Sequence, residues 1–187
     1  MSRFVRLIVA TLACTVLVSG AAGASVAAKS KKVSTDKYAK TLCHTYNQVI
    51  ADVNGFVSDI DSLEITENAS FQADVGTAGA GLLTKLEASE KKLKSVYPDI
   101  DDGKKVSKLF AKNTVELQTA FSDALATFAA ADPNGVAFQA DVAVLSTHLA
   151  TLGTSLTDVT AQITDQDLIG SIGDENTCHE IFPVTGG

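Results

Sequence analysis

The feature that most constrains this chain is a repeat of apolar side chains in alternating steps of four and three. Phe138, Val142, Leu145, Leu149, Leu152, Leu156, Val159 and Ile163 keep that alternation without a break, with Asp, Ser, Thr, His and Gln filling the positions between. Such steps return to one side of a helix, whereas a half-buried strand would alternate at every second residue. Leu42, Tyr46, Val49, Val53, Phe56, Ile60 and Leu63 draw the same stripe. Between the two runs lie Phe71, Val75, Ala78, Leu82, Leu86, Leu93 and Val96, then Val106, Phe110, Leu117, Phe121, Ala124 and Phe128, at helical but less regular spacing. Each helix therefore carries an apolar face that must be buried against another.

Breaks in the pattern set the order of the helices. Residues 64–68 are polar, Tyr97-Pro98-Asp99 and Gly103 interrupt the chain, and Asp132-Pro133-Asn134-Gly135 is a turn by composition. Short connections make neighbouring helices antiparallel, so the expected fold is all-α, an up-down-up-down bundle of four helices of about 25–30 residues. A reversal at Gly170 and Gly173 followed by a short closing helix, from about Asp174 to Phe182, completes the expectation.

The first residues read as an address. Arg3 and Arg6 precede the apolar run Leu7 to Val18, and Ala22-Gly23-Ala24 supplies small residues for cleavage between Ala24 and Ser25, the order of a secretory signal peptide. The run is shorter than the roughly 20 residues needed to span a bilayer. An uncleaved anchor and a lipid-modified Cys14 are the weaker readings, the latter because Thr11 stands where a branched aliphatic residue is needed. The expected organisation is a signal peptide over 1–24, a flexible Lys-rich segment over 25–34, the bundle over 35–182 and a tail over 183–187. The expected destination is the extracellular space, the periplasm or the cell envelope.

Composition then excludes several classes of function. The chain has 15 basic against 22 acidic residues, a formal net charge of −7, and cleavage would remove both arginines and no acid. A nucleic-acid binder held by counterion release needs a clustered basic excess, so no nucleic-acid partner is expected. Without arginine there is no guanidinium fork for bidentate capture of a carboxylate or phosphate. Met1 is the sole methionine, which removes His/Met haem ligation.

Cys43 and Cys178 remain after cleavage, and in an oxidising compartment an even pair is expected to form a disulfide. The bundle topology supports this, because the start of the first helix and the end of the fourth lie at one end. The same topology sorts the charges. Outside the leader every lysine falls within Lys29–Lys40 or Lys85–Lys112, near the cysteine end, whereas Asp59, Asp61, Glu64, Glu67, Asp74, Asp123, Asp132 and Asp141 lie at the other. Asp165, Asp167, Asp174 and Glu175 make the lysine end mixed. A segregated but inert solvated surface explains this, and so does an oriented contact with a charged envelope polymer or protein.

Phe56, Phe71, Phe121, Phe128 and Phe138 project into the acidic half, where the second helix also has Gly76, Gly79 and Gly81. Large-small packing accounts for the combination. An incomplete fit would instead leave a pocket for a small apolar ligand. His44 follows Cys43 and His179 follows Cys178, which raises a metal site or a haem held by His44, His179 or Tyr46. Adjacent helical residues point about 100° apart, zinc ligands are spaced by two or more, and Tyr46 is on the apolar seam, so no cofactor or metal is expected.

Motif-like strings fail on inspection. Asp99-Ile100-Asp101-Asp102-Gly103 resembles the opening of a calcium loop but has no glutamate at the twelfth position. Phe182-Pro183-Val184-Thr185-Gly186 is similar to a sortase sorting motif without the hydrophobic and basic residues that must follow it. Asn68-Ala69-Ser70 is a glycosylation sequon. No nucleophile, base and orienter converge in sequence, so the expected protein is a secreted, non-catalytic binding or interaction module with a protein or envelope partner. The alternatives are a carrier of a small apolar ligand and a self-associating structural protein paired through its fourth helix.

Overall fold

The computed structural model describes residues 30–63, 67–154 and 162–179. The chain is mostly helical: β1 (Lys31–Val33), α1 (Thr35–Asp61), α2 (Asn68–Ser95), β2 (Val96–Pro98), α3 (Gly103–Ala129), α4 (Phe138–Thr154) and α5 (Gln166–Asp174), with a 3-10 turn at Asn176–Cys178. No helix among the described residues is long and apolar enough to cross a membrane.

Local chemistry explains the helix ends. Ser34 Oγ accepts from the Lys37 N–H at 3.4 Å, and Asp36 adds a negative charge to the first turn of α1. At the other end of α1, Ser62 Oγ donates to the Asp59 carbonyl at 2.7 Å. Helix α2 opens without a side-chain cap of its own. Its first residue instead ties the fold together, since Asn68 Nδ2 donates to Pro133 O at 2.7 Å in the α3–α4 turn. Gln72 Nε2 donates to Phe128 O at 2.8 Å and Ala131 O at 2.9 Å, so a side chain of α2 satisfies the terminal carbonyls of α3. Where α2 ends, Ser107 Oγ lies 2.9 Å from Leu93 O and 2.8 Å from Val96 O, closing that helix from α3.

The seam positions pack as their spacing requires. Leu42, Tyr46, Val49, Val53 and Phe56 of α1 are buried, as are Phe71, Val75, Leu82, Leu86 and Leu93 of α2 and Phe110, Leu117, Phe121 and Phe128 of α3. Tyr46 meets Phe110 and Phe56 meets Phe121, so α1 and α3 run in the same direction. Phe71 meets Phe128 at one end of α2 while Ser107 reaches Leu93 at the other, which sets α2 against them. Phe138 of α4 turns back onto Phe128. One ion pair crosses between α1 and α2, Lys85 Nζ to the largely buried Asp52 at 3.1 Å, and Gln48 Nε2 also donates to that carboxylate.

Three features depart from the sequence reading. The Lys-rich lead-in contains a strand, β1, paired in parallel with β2 in the register Lys31↔Val96, Lys32↔Tyr97 and Val33↔Pro98. Val33 is buried there, and the residue before a proline disfavours helix, so Tyr97 is extended. A Cβ on Gly103 would run into the Pro98 carbonyl, which is why glycine opens α3. The closing helix is α5, earlier than expected, and Gly170 lies inside it. Asp165 caps α5 by accepting from the Leu168 N–H at 2.9 Å, and Leu168 and Ile172, four apart, are buried, so packing on α1 outweighs the glycine. Ile163 is buried, but in the non-helical lead to α5 rather than on the fourth helix. Leu156, Val159 and Phe182, like the leader with Ala24 and Ser25, lie outside the described residues.

The glycines of α2 divide by environment. A Cβ on Gly79 would come within 2.5 Å of Leu125 Cδ1, so the two helices touch there because there is no side chain. Gly76 and Gly81 are exposed, with nothing within 4 Å of a Cβ. Gly79→Leu is therefore expected to destabilise the fold by about 1–3 kcal/mol through overpacking. Gly76→Ala and Gly81→Ala should each stabilise it by up to about 1 kcal/mol. Urea unfolding monitored by circular dichroism checks both signs, and Leu125→Ala in the Gly79→Leu background should recover part of the loss.

Candidate functional site

Three places were marked by the sequence, and the structure treats them differently. The phenylalanine half is assembled: Phe56, Phe71, Phe121, Phe128 and Phe138 are all buried, in ring contacts of 5.1 Å (Phe56–Phe121), 6.2 Å (Phe71–Phe128) and 5.6 Å (Phe128–Phe138). Two of these are edge-to-face pairs, the arrangement favoured by the ring quadrupole. The rings occupy one another's space, Leu125 occupies that opposite Gly79, and Gly76 faces outward. A depression beside Phe128 holds about 30 Å³, the share of one water in the liquid. The one beside Phe56 is a surface trough of about 270 Å³ between α1 and α2, bordered by Asp52, Asp59 and Lys85.

At the other end the two Cys-His dipeptides do meet. Cys43 and Cys178 are buried with their Cα atoms 5.0 Å apart and their sulfurs paired. Asn47 Nδ2 donates to Thr177 O at 2.6 Å and Ser171 Oγ to Asp36 Oδ1 at 2.8 Å, binding α5 and the 3-10 turn to α1. His44 is exposed, and His179, also exposed, has Nε2 2.7 Å from Gly173 O. No group of three or more His, Cys, Asp or Glu side chains is placed to hold a metal among the described residues.

Tyr46 points away from both histidines into the core. Its hydroxyl lies 3.3 Å from Phe110 O and 3.2 Å from Asn113 Oδ1. Tyr38, about two turns earlier on α1, is fully buried and its hydroxyl makes no hydrogen bond among the described residues. Burial pushes both phenols well above their ordinary range; at Tyr38 the neighbouring Tyr46 adds to this and nearby Ser107 opposes it.

The third place is the lysine end, where the structure supplies a shape that the sequence did not reveal. One depression of about 570 Å³ is lined by Lys32, Tyr97, Ile100, Lys104, Lys105 and Lys108 together with Asp101 and Asp102. A second, of about 690 Å³, shares Ile100, Asp101, Asp102, Lys105 and Lys108, and continues past Val106, Leu109 and Lys112 to Thr164 and Asp165. Together they form one groove along the first turns of α3. Lys32 pairs with Asp99, Lys105 with Asp102 at 3.5 Å, and Lys112 with Glu116 at 3.2 Å. Lys104 Nζ lies 5.3 Å from the centre of the Tyr97 ring. Lys108 has no carboxylate partner among the described residues. The sequence signal was the clustering of lysines; the strand pair that brings Lys32 and Tyr97 opposite α3 carried none.

No family model, no curated protein and no solved structure matches this chain.

The two buried tyrosines give opposed expectations. Tyr38→Phe removes an unpaired hydroxyl and should leave stability unchanged or raise it by about 1–3 kcal/mol, whereas Tyr46→Phe should cost about 1 kcal/mol. In the unfolded chain tyrosine ionises near pH 10, but in the fold both phenols stay protonated beyond that. The unfolded state therefore binds fewer protons above pH 10, and stability must fall there by up to about 1.4 kcal/mol per pH unit for each tyrosine. Urea midpoints between pH 9 and 11 should show this slope, halved in Tyr38→Phe.

Proposed function

We propose that this protein is a secreted, non-catalytic module that binds a partner outside the cell or in its envelope. In this reading α1–α4 form one up-down-up-down bundle, and the Cys43–Cys178 pair is a disulfide formed after export that fixes α5 and the chain end on α1. The observation that carries the reading is the sorting of charge. In an acidic chain, every lysine among the described residues lies within 31–40 or 85–112, on the half of the helices near Cys43 and Cys178. A rigid body with its cations at one end meets a charged partner in one orientation, and attraction of this kind raises the encounter rate before any close contact forms. The packed phenylalanines favour a structural role for the acidic half over a ligand-carrying one.

Two measurements test this. Protein made in an oxidising compartment should have an intact mass two hydrogens below the sum of its residues. Cys178→Ser should cost up to about 5 kcal/mol, since the crosslink closes a loop with a sequence separation of 135 residues. The purified protein should sediment with isolated cell envelopes at low ionic strength and be released at high salt, because exposed charges more than about 10 Å apart are screened at 0.1 M. Sedimentation that is absent at low salt, or unchanged by salt, would overturn the electrostatic form of the reading.

A further inference from the structure

The lysines of the α3 groove are spaced as a repeating anion would need them. Lys104, Lys108 and Lys112 are four residues apart, so they share one side of the helix and rise about 6 Å per step. Lys32 from β1 and Lys105 stand beside this row, and Ile100, Val106 and Leu109 contribute an apolar floor. The groove also begins at the N-terminal end of α3, where the helix dipole favours an anion, and Asp102 makes no side-chain cap there. It is instead engaged by Lys105.

We infer that this groove is the binding site for a linear chain of closely spaced phosphates, every second phosphate along it meeting one of Lys104, Lys108 and Lys112. The inference rests on the proposed function and specifies its partner. Lysine is a point charge with three donors, suited to tetrahedral phosphate oxygens approached from several directions, and the missing arginine fork is what planar carboxylate recognition would call for. Nucleic acid fits less well, because single-strand binders offer open aromatic platforms to the bases and the groove's one aromatic, Tyr97, is covered by Lys104. Asp101, Asp102 and Asp165 line the same groove and Glu116 pairs with Lys112, so these acids oppose the ligand, lower its affinity and provide a control of opposite sign.

The test is calorimetric titration of the full chain, cysteines oxidised, with medium-chain inorganic polyphosphate. Wild type should bind, with affinity falling on a log-log salt plot at a slope of about −2 to −3, the value for three or four phosphate contacts on a single strand. Lys104→Ala, Lys108→Ala and Lys112→Ala combined should weaken binding about 100-fold, on the order of fivefold for each exposed charge. Asp101→Asn should tighten it. All are surface changes, and an unchanged far-ultraviolet spectrum and urea midpoint verify the fold. Lys37→Ala, Lys40→Ala and Lys92→Ala combined, at the same end but outside the groove, should have less than about a twofold effect, set against the fivefold expected for each groove lysine.

Four results would overturn the site: no binding by wild type, an equal loss in the second triple variant, equal affinity for polyglutamate, or equal affinity for oligothymidylate. Envelope sedimentation of the first triple variant separates the two levels of the claim. If it still sediments and is released by salt, the groove fails and the broader function stands. If wild type binds polyphosphate but not envelopes, the broader function fails and the groove stands.

Discussion

Burial of the apolar stripe of α1 is the contact on which the remaining structure depends. Leu42, Tyr46, Val49, Val53 and Phe56 are each withdrawn from solvent along the length of the helix. Near its start α1 carries α5 and the 3-10 turn, through Cys43, Asn47 and Asp36. Midway it takes the Phe110 edge against Tyr46, and further on Phe121 against Phe56. A side chain of roughly this size contributes about 1.5–3 kcal/mol when fully buried, so the stripe is worth more than any polar contact in the molecule.

Several of the polar contacts between helices lie at helix ends. Gln72 from α2 closes the end of α3, Ser107 from α3 closes the end of α2, and Asn68 pins the turn between α3 and α4. Gln72 and Ser107 thereby add partners to carbonyls in the last turn of a neighbouring helix. Each also fixes the register of one helix on another, which a greasy stripe alone leaves free to slide. Tyr38 is the exception, a buried hydroxyl without a hydrogen bond among the described residues, tolerated for the volume of its ring.

The two ends of the helices are thus specialised by different physics. The acidic half is closed by aromatic rings and by the close approach of α2 and α3 at Gly79. The lysine half is tied by the short parallel strand pair and by the cysteines, and the two larger depressions described lie there. The groove there is lined by lysines interleaved with aspartates. Its walls come from separate elements, β1–β2 on one side and α3 on the other.

Helical class, the stripes on α1, α2 and α3, the turn at 132–135 and the approach of Cys43 to Cys178 were all legible in the sequence, because each follows from local spacing or chain order. The seven-residue rhythm says which side chains must be hidden whatever they are hidden against. What hides them is a tertiary matter. Nothing local marks Lys31–Val33 as a strand, since three residues gain a ladder only from a partner more than sixty positions away. Nothing local distinguishes Gly79 from Gly76 and Gly81, since the difference is Leu125 on another helix. Residues 166–174 carry two glycines and read as a reversal, yet burial of Leu168 and Ile172 on α1 makes them a helix. The sequence by itself determined which residues are apolar and at what period, and hence the fold class; only the tertiary structure decided where surfaces fit closely and where they leave a groove, because fit depends on pairs of elements brought together from distant parts of the chain.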